Sequence, residues 1–194
     1  MQKHFVAMGD SLTVGIGDEV EGIKLSSWVH TFAQLHSPPF LSTNLAKRGL
    51  LTKEVRMTQL EKALTLQADI VSLITGANDI LKGRWNRNEY KDEMEHMIDA
   101  LSKTGATIII GNMPDFTARL PVPAEQKQVL KEQLIEANEV IQLLSHEYIF
   151  HLIDFWNTPL AQDPSIWSND LIHPNSKGYQ EIAAMIYDQV IRGN

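Results

Sequence analysis

Three features of the chain predict an α/β fold built on a parallel sheet. Short apolar runs alternate with amphipathic stretches along the whole sequence; the runs are apolar at consecutive positions; and each is followed by a polar loop. Strands covered on both faces read as continuous apolar runs of this kind. Strands alternating with helices imply a sheet with helices on either side.

Taken in order, the predicted strands are Phe5 to Met8, Phe40 to Leu45, Ile70 to Thr75, Thr107 to Gly111 and Tyr148 to Ile153. Between the first two, Ser26 and Ser27 are caps for a helix with Trp28, Val29, Phe32, Ala33 and Leu35 on its inner face, ended by Pro38-Pro39. The stretch Thr52 to Leu66 offers Val55, Leu60 and Leu64 to a core. Glu89 to Ser102, with Asn88 as its cap, offers Met94, Met97, Ile98 and Leu101. The longest helix is expected from about Ala124 to His146, after Pro123, burying Leu130, Leu134, Ala137, Ile141 and Leu144. A last helix is expected to begin near Pro174 and to bury Tyr179, Ile182, Ala183, Ile186 and Val190.

Composition narrows the class. The 194 residues, 43% of them hydrophobic, suffice for one substantial core, and one domain over 1–194 is expected. A net charge of -7 and a pI near 5.4 argue against nucleic acid or an anionic membrane as partner, since both require a basic face. No apolar run approaches the ~20 residues of a membrane-spanning helix. The first strand follows Met1-Gln2-Lys3-His4 directly, without room for a signal peptide, so a cytoplasmic location is expected. With no cysteine, thiolate chemistry is excluded.

In an open parallel sheet the site forms outside the carboxyl ends of the strands. Four of the loops expected there carry the polar residues of interest. Gly9-Asp10-Ser11-Leu12-Thr13 follows the first strand, Asn44 to Gly49 the second, Gly76-Ala77-Asn78-Asp79 the third, and a long loop ending in Asp170-Leu171-Ile172-His173-Pro174 the fifth. A hydroxyl residue presented after a strand and a glycine is a candidate nucleophile, although most such serines only close turns. Asp170 and His173 are spaced so that the carboxylate can hold imidazole Nδ1, leaving Nε2 free to take a proton from serine. Taken alone, the pair reads equally well as a helix boundary with two solvated side chains. Backbone amides at Ser11 and Gly49 and the side-chain amide of Asn78 are candidate donors to an oxyanion; in isolation, Gly76 to Asp79 also reads as an ordinary turn.

Together these motifs resemble the SGNH hydrolases, the GDSL-type lipase and esterase family, across nearly the whole chain. The resemblance is carried by Gly9-Asp10-Ser11, Gly49, Gly76-x-Asn78-Asp79 and Asp170-x-x-His173, in family order. It implies a three-layer α/β/α sandwich, flavodoxin-like, with a five-stranded parallel sheet in the order 2-1-3-4-5. It also implies Ser11 as nucleophile, His173 as base and then acid, Asp170 as the orienting carboxylate, and Ser11, Gly49 and Asn78 as the oxyanion hole. No metal or organic cofactor is implied, and the expected partner is a small-molecule ester. Two other patterns fail on spacing. His146 and His151 stand one residue too far apart for H-E-x-x-H, and Gly15-x-Gly17 has Val20 where a dinucleotide fingerprint needs a third glycine.

Candidate pocket residues are Leu12, Trp85, Phe116 and Ile172, with Leu120, Trp156 and Trp167 as further wall-formers. Their apolar character suits an acyl chain, though aromatic rings also suit sugars. Without a long insertion to act as a lid, small or single-chain acyl esters are the expected substrates. A carbohydrate O-acetylesterase, a thioesterase or lysophospholipase, and a non-catalytic binding module with the same fold are the alternatives. Asp10 and Asp79 are expected to accept backbone hydrogen bonds, and Lys82, Arg84 and Arg87 to form a solvated basic loop.

Overall fold

The computed structural model describes residues 2–193. One five-stranded parallel sheet runs in the order β2-β1-β3-β4-β5, with β1 at His4–Gly9, β2 at Leu41–Asn44, β3 at Ile70–Ile74, β4 at Thr107–Gly111 and β5 at His151–Ile153. The chain steps from β1 outward to β2 and then returns to β3 on the other side of β1. The carboxyl ends of β1 and β3 therefore diverge at the point where such sheets open a crevice.

The alternation of side chains along each strand separates two cores. Val6, Met8, Val71, Leu73, Ile108 and Ile110 face one layer of helices, while Phe5, Ala7, Ile70, Ile74, Ile109 and Ile153 face the other. After a short α1 (Ser11–Val14), α2 (Trp28–Gln34) covers the second face, where Trp28, Phe32 and Phe5 pack ring to ring with centroids 4.9–6.3 Å apart. The other face is covered first by α3 (Thr52–Val55) and α4 (Glu61–Thr65), which are joined without a break by the π-helical turn Arg56–Leu60. After β3 come α5 (Ala77–Leu81) and α6 (Arg87–Ser102), and after β4 comes α7 (Ala124–Glu147). The long helices α6 and α7 bury Met94, Met97, Leu134 and Ile141 on that first face. Following β5, the short α8 (Pro159–Gln162) leads to α9 (Ser176–Tyr187), which packs beside α2.

Several boundaries differ from expectation. Both edge strands are shorter, because an edge strand is held by one neighbour only. Leu41–Asn44 replaces Phe40 to Leu45, and His151–Ile153 pairs only with Ile109 to Gly111, since α7 continues to Glu147 and draws Tyr148 N–H onto Leu144. The cap of α6 is Asn86, not Asn88: the extended backbone of Asn86 aims its amide oxygen at the N–H groups of Asn88 and Glu89, both at 3.1 Å. Pro174 does not begin α9. It pairs with Trp167 in an antiparallel bridge, and Asn175 caps the helix through Gly178 N–H at 3.0 Å.

Candidate active site

β1 ends on Gly9, which has a φ of +148°; a Cβ there would lie 2.3 Å from the carbonyl oxygen of Ile74, so only glycine fits. The Gly9 peptide groups are gripped by a buried side chain. Gln59, in the π-helical turn, accepts from Gly9 N–H at 2.8 Å and donates to Gly9 C=O at 2.9 Å. Asp10 then caps α1, accepting from Leu12 N–H at 3.3 Å, and Ser11 is the first residue of that helix, 8% exposed. The Asp10 carboxyl is buried, and burial pushes it up to about 7; the negative charge of Asp79 adds to this, while the hydrogen bonds from Leu12 and Asn78 oppose it.

Across the crevice, His173 Nε2 stands 2.7 Å from Ser11 Oγ and His173 Nδ1 stands 2.6 Å from Asp170 Oδ2. Asp170 Oδ1 accepts from the backbone N–H groups of Ile172 and His173 at 3.0 and 2.9 Å. Burial raises this carboxyl, but the hydrogen bonds from the His173 side chain and from the two backbone amides outweigh it and hold it below the ordinary carboxylate value. The turn depends on Leu171 in the left-handed region, with a φ of +65°.

Two residues that the sequence reading missed hold this loop. Arg119 donates from Nε to Leu171 C=O at 3.1 Å and lies with Cζ 3.8 Å above the ring of Trp167. Asp18 accepts from Asn169 N–H at 2.7 Å, donates its own N–H to Ser168 Oγ at 2.8 Å, and accepts through its carbonyl from Ser176 N–H at 2.9 Å. Gln59 is a third. Its only signal in the sequence is a polar side chain among apolar positions of the Thr52 to Leu66 stretch, whereas nothing local distinguishes Arg119 or Asp18.

The candidate oxyanion donors flank the turn. Asn78 Nδ2 donates to Leu50 C=O at 3.0 Å and to Asp10 Oδ2 at 3.2 Å, which ties the loop after β2 to the nucleophile turn. Gly49 has a φ of +78°, and its carbonyl accepts from Lys82 Nζ. Asp79 accepts from Thr52 through backbone N–H and hydroxyl, both at 3.0 Å, and is raised by burial against those bonds.

An apolar cavity opens beside Ser11 and His173. Leu12, Phe116, Ile172 and Trp167 line it; Gly49, Asn78, Leu120, Trp85 and Trp156 do not. For Trp85 this corrects the pocket assignment. Its ring packs on Tyr90 with centroids 5.1 Å apart and its Nε1 donates to Glu136 at 2.7 Å, so it is drawn onto α6 and α7 instead.

A hydroxyl, an imidazole and a carboxylate in line at the carboxyl edge of a 2-1-3-4-5 parallel sheet define a three-layer α/β protein of hydrolase design. The chain belongs to the GDSL-like lipase/acylhydrolase family, whose sequence profile matches residues 7–181, and it is accordingly an ester-hydrolysing enzyme. Its fold is similar to that of the lipase/acylhydrolase from Enterococcus faecalis, with 22% identity over 97% of this chain and 95% of that one and a TM-score of 0.74. The psychrotrophic esterase EstA from Pseudoalteromonas sp. has 17% identity over 99% and 98%, with a TM-score of 0.73. A family 3 carbohydrate esterase from Clostridium thermocellum has 17% identity over 99% and 96%, with a TM-score of 0.69. No curated protein sequence matches significantly. Among the described residues no helix is long and apolar enough to cross a membrane.

Proposed function

We propose that the protein hydrolyses small or single-chain acyl esters through an acyl-enzyme on Ser11. The observation that carries this reading is the hydrogen-bonded line Ser11–His173–Asp170 at the mouth of an apolar cavity. Ser11 Oγ attacks the ester carbonyl while its proton passes to His173 Nε2. Asp170 on Nδ1 fixes the tautomer and stabilises the imidazolium. The carbon–oxygen bond of the ester then breaks, and the alcohol leaves with that proton. Water next gives a proton to His173 and its oxygen to the acyl carbon, and the same proton returns to Ser11 Oγ as the acid departs.

The charge on the tetrahedral oxygen is met by Ser11 N–H, Gly49 N–H and Asn78 Nδ2. For Asn78 this means releasing the longer of its two contacts, the one to Asp10 at 3.2 Å. The apolar lining favours an acyl chain over a sugar ring, because an O-acetylated sugar would leave most of the cavity unfilled. Thioesters and lysophospholipids present the same acyl group and fall within this reading. A fluorophosphonate probe is expected to add one label at Ser11, absent from Ser11→Ala; a folded wild-type protein that takes up no label would overturn the assignment.

A further inference from the structure

Gly49 differs from the other two candidate oxyanion donors in how it is held. Ser11 and Asn78 lie within helices α1 and α5, whereas Gly49 lies on the loop between β2 and α3. Its N–H donates to none of the described residues, which leaves it free for a substrate oxygen. A Cβ on Gly49 would meet one atom within 4 Å outside its chain neighbours, Lys82 Nζ at 3.5 Å. No other side chain packs over that face of the glycine.

The loop is tied at both ends, and the ties thin out at Gly49. Leu45 N–H donates to Ala7 C=O at 2.9 Å and Lys47 N–H to Gly9 C=O at 3.3 Å; further on, Thr52 N–H and hydroxyl donate to Asp79, both at 3.0 Å. Between Lys47 and Leu51 the described residues receive two hydrogen bonds from other elements. Asn78 Nδ2 donates to Leu50 C=O at 3.0 Å, and Lys82 Nζ donates to Gly49 C=O. Leu50 has a second anchor, because its side chain packs on the first core. For Gly49 the described residues offer only Lys82.

Lys82 is placed to serve both donors. It caps the C-terminus of α5, its own N–H donating to Asn78 C=O at 3.0 Å, so one residue touches Asn78 and Gly49 together. Its side chain is exposed and forms no ion pair with a described carboxylate. A charged donor makes the stronger kind of hydrogen bond, and glycine, with the freest backbone, needs a tie from outside if its N–H is to stay aimed.

Resting on the assignment of Gly49 and Asn78 to the oxyanion given above, we propose that Lys82 is a positioning residue for the oxyanion hole. Its ammonium clamps the Gly49 carbonyl to the end of the helix that carries Asn78, and so sets the spacing of the two donors. The expected solvated lysine thus acts on the transition state through Gly49.

The test compares Lys82→Met, Lys82→Arg and Lys53→Met on p-nitrophenyl butyrate. Methionine keeps an apolar stem and removes the donor; kcat is expected to fall about tenfold with KM and melting temperature little changed, less than the loss of a whole oxyanion donor. Inhibition by butylboronic acid, whose tetrahedral adduct on Ser11 places an oxygen at the same position, is expected to weaken by a similar factor. Lys82→Arg can still donate to the carbonyl and is expected to recover most of the loss. Lys53→Met removes a neighbouring exposed charge and is expected to leave kcat unchanged. A Lys82→Met enzyme with kcat within about twofold of wild type overturns the clamp. So does a loss carried by KM, matched by Lys53→Met or not recovered by arginine. In each of these cases Ser11 still takes the fluorophosphonate label. A folded wild type that takes no label overturns the reading of Ser11, and the clamp with it.

Discussion

The two halves of the candidate site are held in opposite ways. The turn carrying Ser11 is fixed from inside: Gly9 closes a buried strand, both its peptide groups pair with buried Gln59, and Asp10 is 4% exposed. The loop carrying His173 is fixed from its rim. The side chain of Asp170 is 45% exposed, Leu171 has a positive φ, and the loop's restraints come from Arg119 and Asp18, which belong to other loops. A hydroxyl at the end of a strand inherits its position from the sheet. An imidazole 162 residues further along has no strand to place it and depends on side-chain ties. The inner half should therefore fail in stability when disturbed, and the outer half in turnover.

The largest expected effect tests that both halves act together. Ser11→Ala should lower kcat by at least about 10⁴-fold with little change in melting temperature, checked by ester turnover and calorimetry. Gln59→Leu tests the inner half: it removes the side-chain partner of buried Gly9 N–H and leaves Gly9 C=O only the longer bond from Lys47 N–H at 3.3 Å, and should cost about 2 kcal/mol, read as a shift in the urea midpoint. A loss below about 1 kcal/mol would mean that the turn is held by the strand alone.

Asp10→Asn sharpens the same point through pH. The folded carboxyl is pushed up from 3.8 to about 7, so the folded state holds the proton more tightly. The stability this confers is complete below pH 3.8 and is lost as pH rises to about 7. Asparagine does not titrate. The stability of Asp10→Asn relative to wild type should therefore improve by about 1–3 kcal/mol between pH 4.5 and 7.5, measured by urea unfolding at both. A difference independent of pH would show that the buried carboxyl does not titrate as assigned.

The smallest effect belongs to the rim. Arg119→Met removes the tie to Leu171 C=O and the charge over Trp167, and should lower kcat about tenfold through misplacement of His173, with a smaller effect on stability. A melting temperature that falls while kcat holds would reverse the contrast between the halves.

Much of this was legible in the chain. Consecutive apolar residues mark the strands because both faces of the sheet are covered. The motif residues can be located because a glycine, a hydroxyl and an Asp-x-x-His turn have few other uses in that order. Boundaries were less legible. Asn86 and Asn88 are chemically equivalent caps, and backbone conformation chose between them; Pro174 suits a first helical position, yet a bridge to Trp167 claimed it. Trp85 reads as a pocket wall by composition, and Glu136 on α7, 51 residues away, drew it aside.

The division follows from range. Periodicity, glycine at Gly9 and the Asp170-x-x-His173 spacing express forces between near neighbours, and the amino-acid sequence alone determined the strands, the helices and the family. Hydrogen bonds from Gln59 to Gly9, from Arg119 to Leu171 and from Asn169 to Asp18 join residues 50, 52 and 151 positions apart. The close approach of α9 to the turn at Ile166, where a Cβ on Gly178 would lie 2.4 Å from the Ile166 carbonyl oxygen, is of the same kind. These contacts exist only once the sheet has brought its loops to one edge, and tertiary structure alone decided them.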